Sequence, residues 1–226
     1  MKSNKKMGRL VGVLFLLIFV IGILVYQILQ GPVLFSDDYL TATSASSNKI
    51  IISILLLFLS GITSISIATI LFPIFKKYSI TLALLYFAFS ILGFIAIAID
   101  NSSAIALLEL SQGYVKNSTD NSDALKILGP LLYKKHWWTH YLSLLMSCFP
   151  VFILYYTLYR SKLVPKIISI VGIVASILMF IELLCSIFGH SISMHMMLPM
   201  GLIQLILPFW LISKGLNASA LITDMK

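Results

Sequence analysis

The chain has 226 residues, 59% of them hydrophobic and only 11% charged, against about 25% charged residues in soluble domains. So few charges cannot clothe a water-facing surface, whereas a bilayer solvates apolar side chains directly, and several runs reach the roughly 18–20 apolar residues that cross a hydrocarbon core of about 30 Å. The formal charge of +8 does not point to nucleic acid, because the basic residues sit in short clusters between apolar runs, where they set orientation.

The predicted elements follow in chain order. A basic start, MKSNKKMGRL, leads into an uncharged run over about 10–29. It is too long for a signal peptide and lacks an A-x-A-like cleavage site, so it reads as a retained first span. A segment rich in Gly, Pro, Ser and Thr, with Asp37 and Asp38, reads as a turn up to Asn48. Further spans are expected over about 50–72, 80–99, 137–159, 167–188 and 194–212. The expected fold is all-α, one polytopic domain over 1–226 with six transmembrane helices. Pro150, Pro199 and Pro208 are expected to kink spans four and six.

Alternate connections differ in charge. One side holds Lys2, Lys5, Lys6, Arg9, Lys76, Lys77, Arg160, Lys162, Lys166, Lys214 and Lys226, and the other holds Lys49, Lys116, Lys126, Lys134 and Lys135. The richer side is expected to be cytoplasmic, which places both termini inside. Trp137, Trp138, Tyr159 and Trp210 fall where interfacial aromatic belts form. In the longer outer connection, 101–135, Ala124, Leu125, Ile127, Leu128, Leu131 and Leu132 recur at helical spacing, and Ser102 is placed to cap a helix through about Leu110. This segment is read as one or two short helices lying on the outer surface.

Polar residues inside the spans carry the functional reading. On a wheel at 100° per residue, Ser169, Gly172, Ala175, Ser176, Met179, Glu182, Ser186, Gly189 and His190 share one half of span five. The other half is wholly apolar and suits lipid, while small residues suit helix packing. Glu182 therefore points into the bundle. On span four His136, His140 and Ser143 form one stripe with Ser147. His140 stands roughly 30 Å above Arg160 and Glu182 roughly 24 Å above Lys166. Asp100, His190 and His195 belong to the same outer level. The candidates for an outward-facing polar pocket are Glu182, His140, His136, Asp100, Ser143 and Ser186, since an ionisable group in a span lines a cavity, pairs or serves function. A purely structural Glu182, neutral and hydrogen-bonded, is the competing reading. His190 and His195, in a short polar turn, read first as solvated.

A metal site of His136, His140 and Glu182 has the i, i+4 spacing on its side, but HWWTH lacks the acid of H-E-x-x-H. No phosphate loop or nucleophile elbow occurs. Cys148 and Cys185 lie at depths about 10 Å apart, too far for a bridge that needs Cα atoms within about 7 Å. Asp100 follows Lys76 as Glu182 follows Arg160, a spacing that duplicated hairpins or chance would produce.

The stretches LYRSKLVPKIISIVGIVASILMFIE and LPFWLISKGLN carry a family resemblance. Tyr159-Arg160-Ser161 before Pro165, the late acid Glu182 and the closing Trp210-Leu211-Ile212-Ser213-Lys214-Gly215 resemble the bacterial membrane family called domain of unknown function 4386 (DUF4386). The resemblance implies a bacterial cell-membrane location and brings no activity, substrate or cofactor. The functional expectation is small-solute transport or sensing through the outer pocket. An intramembrane metal-dependent hydrolase at the outer leaflet and a structural or partner-binding subunit are the alternatives. Beyond the lipid bilayer, the sequence identifies no ligand, cofactor or protein partner.

Overall fold

A computed structural model describes residues 2–116, 122–190 and 194–217 of the chain. Eight α-helices are present among them: α1 (Lys2–Ile23), α2 (Gly31–Leu34), α3 (Tyr39–Ala45), α4 (Ser47–Phe75), α5 (Ile80–Lys116), α6 (Ser122–Ser161), α7 (Lys166–Ile187) and α8 (Leu198–Lys214). A π-helical stretch, Leu24–Leu29, extends α1, and a 3-10 turn, Met194–Met197, leads into α8. Taken with its extension, α1 is long and apolar enough to cross a membrane, as are α4, α5, α6 and α7; α8 is a shorter apolar helix.

Uninterrupted apolar runs propagate these helices. The hydroxyls inside them are absorbed locally: Thr63, Ser90 and Thr157 each donate to the carbonyl four residues back, at 2.7 Å. Such back-bonding satisfies these three hydroxyls in an apolar setting, whereas Thr43 Oγ1 and Ser169 Oγ are buried with no partner among the described residues.

Successive long helices pair antiparallel. Across α4 and α5, Phe75 meets Tyr86 and Phe58 meets Phe94, with ring centroids 5.6 and 5.8 Å apart. Across α5 and α6, Phe89 stacks on Phe149 at 5.1 Å. Across α6 and α7, Phe149 meets Phe180 at 5.9 Å, and Gly172 admits the Tyr155 ring so closely that a Cβ there would lie 2.2 Å from it. Gly8 and Gly12 of α1 pack against Gly215–Leu216 and Pro208–Leu211. Met7, Phe75, Tyr78, Leu158, Leu163 and Leu216 share one apolar cluster. The start of α1 and the ends of α4, α6 and α8 therefore meet at one end of the bundle. The basic residues of the charge-rich connections flank that end; the side chains of Lys2 and Lys226 lie outside the described residues.

The far end departs from expectation. The helices that carry the expected spans three and four run well beyond residues 99 and 137; α5 is unbroken for 37 residues and α6 for 40, about 55 and 60 Å. The expected surface helices of 101–135 are continuations of these two rods. Ser102 sits exposed inside α5 and caps nothing. The reason is local, since no Gly or Pro interrupts 94–112, and Ala104, Leu107 and Leu108 bury against Val33, Leu34, Ile50 and Ile54. Residues 117–121, and the side chains of Ala124, Leu125 and Lys126, are not described. The segment read as a turn, 30–48, instead holds α2 and α3, which close over this second cluster. Pro199 occupies the first turn of α8, where it starts the helix instead of kinking it.

The division of α7 follows its wheel. Ser169, Gly172, Ala175, Ser176, Glu182 and Leu183 are buried, and Ile170, Val174, Ile177 and Ile181 are exposed. Ile52, Leu55, Ile62, Leu84, Leu92, Leu202 and Phe209 continue an exposed apolar belt on neighbouring helices, a surface of the kind that marks contact with lipid or protein and not water.

Candidate functional site

The long rod of α5 carries Asp100 about 30 Å from its start at Ile80, and antiparallel pairing brings it level with the start of the HWWTH stripe on α6. His136, Thr139 and His140 stand at i, i+3 and i+4, one helical face. Asp100 receives both imidazoles. His136 Nδ1 lies 3.2 Å from its Oδ1 and His140 Nδ1 lies 3.3 Å from its Oδ2. Thr139 Oγ1 donates to Oδ1 at 3.0 Å. Ser103, one turn beyond Asp100, donates to the Asp100 carbonyl at 2.7 Å and lies 3.0 Å from His136 Nδ1.

The cluster is closed off. Exposure is 2% for Asp100, 1% for His136 and 9% for His140. Its cover comes from the π stretch and α2. The ring of Tyr26 meets His140 edge-on at 5.3 Å, and Phe35 stacks on His136 at 5.9 Å and tilts over His140 at 5.5 Å. Tyr26 is also within electrostatic reach of Asp100. Gly31 makes this cover attainable, because a Cβ there would lie 2.0 Å from the Tyr26 carbonyl oxygen. Short π-helical insertions of this kind are frequent at functional sites.

A carboxylate only accepts hydrogen bonds, so an imidazole that bonds it through Nδ1 carries a proton there. That orients the ring and turns Nε2 outward, as carboxylates do behind catalytic or ligating histidines. In this structure His136 Nε2 is buried with no partner among the described residues, and the same holds for Asn101 Oδ1, Gln30 Nε2 and Thr43 Oγ1 at the same end. Asn101 spends its amide nitrogen on the Ile54 carbonyl, 3.4 Å away, tying α5 to α4.

The remaining candidates fall elsewhere. Ser143 is buried but donates to the His140 carbonyl at 2.8 Å, so its hydroxyl serves the helix. Glu182 lies on the other flank of α6, 8% exposed, where its Oε1 accepts from Ser186 Oγ at 3.0 Å. Among the described residues no hydrogen bond or ion pair joins Glu182 to either histidine. Tyr141 stands between the two groups, with its ring 5.9 Å from that of His140 and its hydroxyl within electrostatic reach of Glu182. His190 is exposed past the end of α7, and the side chain of His195 lies outside the described residues.

No group of three or more His, Cys, Asp or Glu side chains among the described residues is arranged to hold a metal ion, so His136, His140 and Glu182 are not assembled as a ligand set. Cys148 and Cys185 are free thiols. A shallow apolar groove of about 310 Å³ on α4, lined by Ile62, Ile65, Ser66, Thr69 and Ile70, contains none of the candidate residues. Sequence reading missed Thr139, Ser103, Tyr26 and Phe35. The D-x-x-S spacing of Asp100 with Ser103 and the H-x-x-T-H spacing on α6 were the available signals; nothing in the sequence placed the aromatic cover.

No curated protein and no solved structure matches the chain. The profile of the domain of unknown function DUF4386 matches residues 10–215, through every long helix and both flanks of α6, and the chain belongs to that family.

Proposed function

We propose that the protein is a multi-pass protein of the bacterial plasma membrane with six crossings, the basic end and both termini in the cytoplasm. On this reading the Asp100–His136–His140 cluster receives a small polar solute or ion near the outer surface, for transport or sensing. The charge asymmetry supports the orientation. The height of Asp100, about 30 Å along α5 from the basic end, supports the placement near the outer boundary.

One observation carries the functional part. His136 Nε2 faces away from the Asp100 carboxylate, which its Nδ1 approaches to 3.2 Å, lies inside the protein and has no partner among the described residues. An unmet buried polar atom costs about 1–3 kcal/mol, a cost that a solute or ion able to engage the ring nitrogen removes. Tyr26 and Phe35 sit over the rings on a segment of short helices, the kind of element that opens at low cost.

A thermal-unfolding screen of the purified protein against small polar solutes and salts tests this. A ligand of the site raises the melting temperature of the wild type, and the rise disappears in Asp100→Asn and His136→Gln. If these folded variants respond like wild type to every compound that stabilises it, or if no compound stabilises it, the cluster serves only to join α5 to α6.

A further inference from the structure

Glu182 is left over by that reading. It sits on the α6–α7 seam, and α6 itself separates it from Asp100. Its carboxyl is half used: Oε1 takes the Ser186 hydroxyl at 3.0 Å, while Oε2 is buried and has no partner among the described residues. No ion pair among the described residues neutralises it. Tyr141 stands within electrostatic reach of the carboxyl. One turn toward the start of α6, Trp137 packs on Tyr141 with ring centroids 4.4 Å apart. Tyr141 and Ser186 are only half-buried, so the group is not sealed inside the bundle.

The geometry points to a second binding site here, for one small organic cation with an ammonium head, with Glu182 as counter-ion, Ser186 and Tyr141 as its hydroxyl support, and Trp137 as an aromatic wall. The charge matches: a single carboxylate, hard to leave bare at low dielectric, calls for one positive charge. The free oxygen calls for a hydrogen-bond donor, which an ammonium supplies. Divalent ions fit poorly. Calcium takes about 6–8 oxygens and zinc about four N, S or O ligands, whereas this place offers one carboxylate and two hydroxyls. The packed pair Trp137–Tyr141 on the facing helix favours a soft organic cation over a strongly hydrated inorganic one.

The test uses the full-length protein in lipid nanodiscs, titrated with methylammonium chloride against sodium chloride at matched ionic strength and read by tryptophan fluorescence and thermal shift. Methylammonium is expected to give a saturable response that sodium does not. Glu182→Gln is expected to weaken it by about tenfold or more, the loss of a charge-assisted contact, and Tyr141→Leu to weaken it less. Asp100→Asn leaves it unchanged, which separates this site from the α5–α6 cluster. Equal responses to both salts, no saturable response, or an unaltered Glu182→Gln titration would overturn the proposal. Should Glu182→Gln fail to fold, infrared spectroscopy of Ser186→Ala and wild type decides. A Glu182 carboxylic C=O band that methylammonium leaves untouched means that the acid is neutral and binds no cation. A band absent from wild type, or lost as methylammonium is added, supports the site.

Discussion

The two ends of the bundle are held together by different physics. At the basic end contact is apolar and close: α1 against α8 through Gly8 and Gly12, α6 against α7 through Gly172 and Tyr155, and a cluster with Phe75, Leu71, Leu207 and Leu211 at its centre. At the far end α5 and α6 meet through polar groups, the chain passes through a π stretch and two short helices over a smaller apolar cluster, and several buried polar atoms have no partner among the described residues. Of the six unpartnered buried atoms among the described residues, only Ser169 Oγ lies toward the basic end; those of Gln30, Thr43, Asn101, His136 and Glu182 lie at the other. The contrast teaches where close packing holds the bundle and where polar atoms are left open to a partner. Interlocked small residues hold helices together without needing a hydrophobic driving force. Unmet polar atoms weaken a fold and persist where ligands or switches use them.

Substitutions can break or sharpen this contrast. The largest loss is expected from Asp100→Ala, which takes the carboxylate from both imidazoles and leaves His140 Nδ1 buried without its acceptor, while His136 Nδ1 and Thr139 keep the Ser103 hydroxyl; removing one partner of a buried pair costs about 3–5 kcal/mol. Chemical unfolding in detergent measures it, and Asp100→Asn should lose visibly less. Were Asp100→Ala no worse than a surface change, the cluster would not join α5 to α6.

Next comes Gly172→Ala at the close-packed seam. Its new methyl meets the Tyr155 ring, and overpacking of this kind costs about 1–3 kcal/mol. Because the seam is far from the histidines, the solute and methylammonium responses should survive. Gly31→Ala, whose methyl meets the Tyr26 backbone carbonyl, should cost a similar amount, about 1–3 kcal/mol, and because it displaces Tyr26 it should alter any response at the Asp100 cluster. Equal functional effects of the two glycine changes would erase the distinction between the ends. The smallest effect is expected at Ser169→Ala, where an unpartnered hydroxyl is removed. Stability should rise, by about 1 kcal/mol, the low end of the cost of an unmet buried polar atom, by the same unfolding measurement.

Much of this fold was legible. The apolar runs announced every long helix, and the wheel of span five separated its buried half, with Gly172 and Glu182, from the exposed half of Ile170, Val174 and Ile177. The stripe of His136 and His140 was also visible, because side chains four apart share a face whatever the rest of the chain does. The helical state of 30–48 was hidden, since Gly, Pro and Asp in that segment favour turns locally and only the apolar cluster beneath α2 and α3 outweighs them. The unbroken rods of α5 and α6 were hidden too. A helix leaving the apolar run is stopped by sequence only where a breaker stands, and Leu107 and Leu108 found a surface to bury on.

The partner of the histidines was the deeper omission. Height along a helix follows from counting residues at about 1.5 Å each, and by that measure Asp100 and Glu182 were both eligible. Which acid faces the imidazoles depends on which helix lies on which flank of α6, and no local pattern encodes that order. Composition and periodicity by themselves determined a basic-ended, all-helical chain with a polar stripe turned inward, because hydropathy and helical repeat are properties of the covalent chain. Only the tertiary packing decided that Asp100 takes both histidines while Glu182 keeps to Ser186 on the opposite flank, because neighbours around a helix are chosen by the side-chain surfaces of separate segments, and those meet only after the chain has folded.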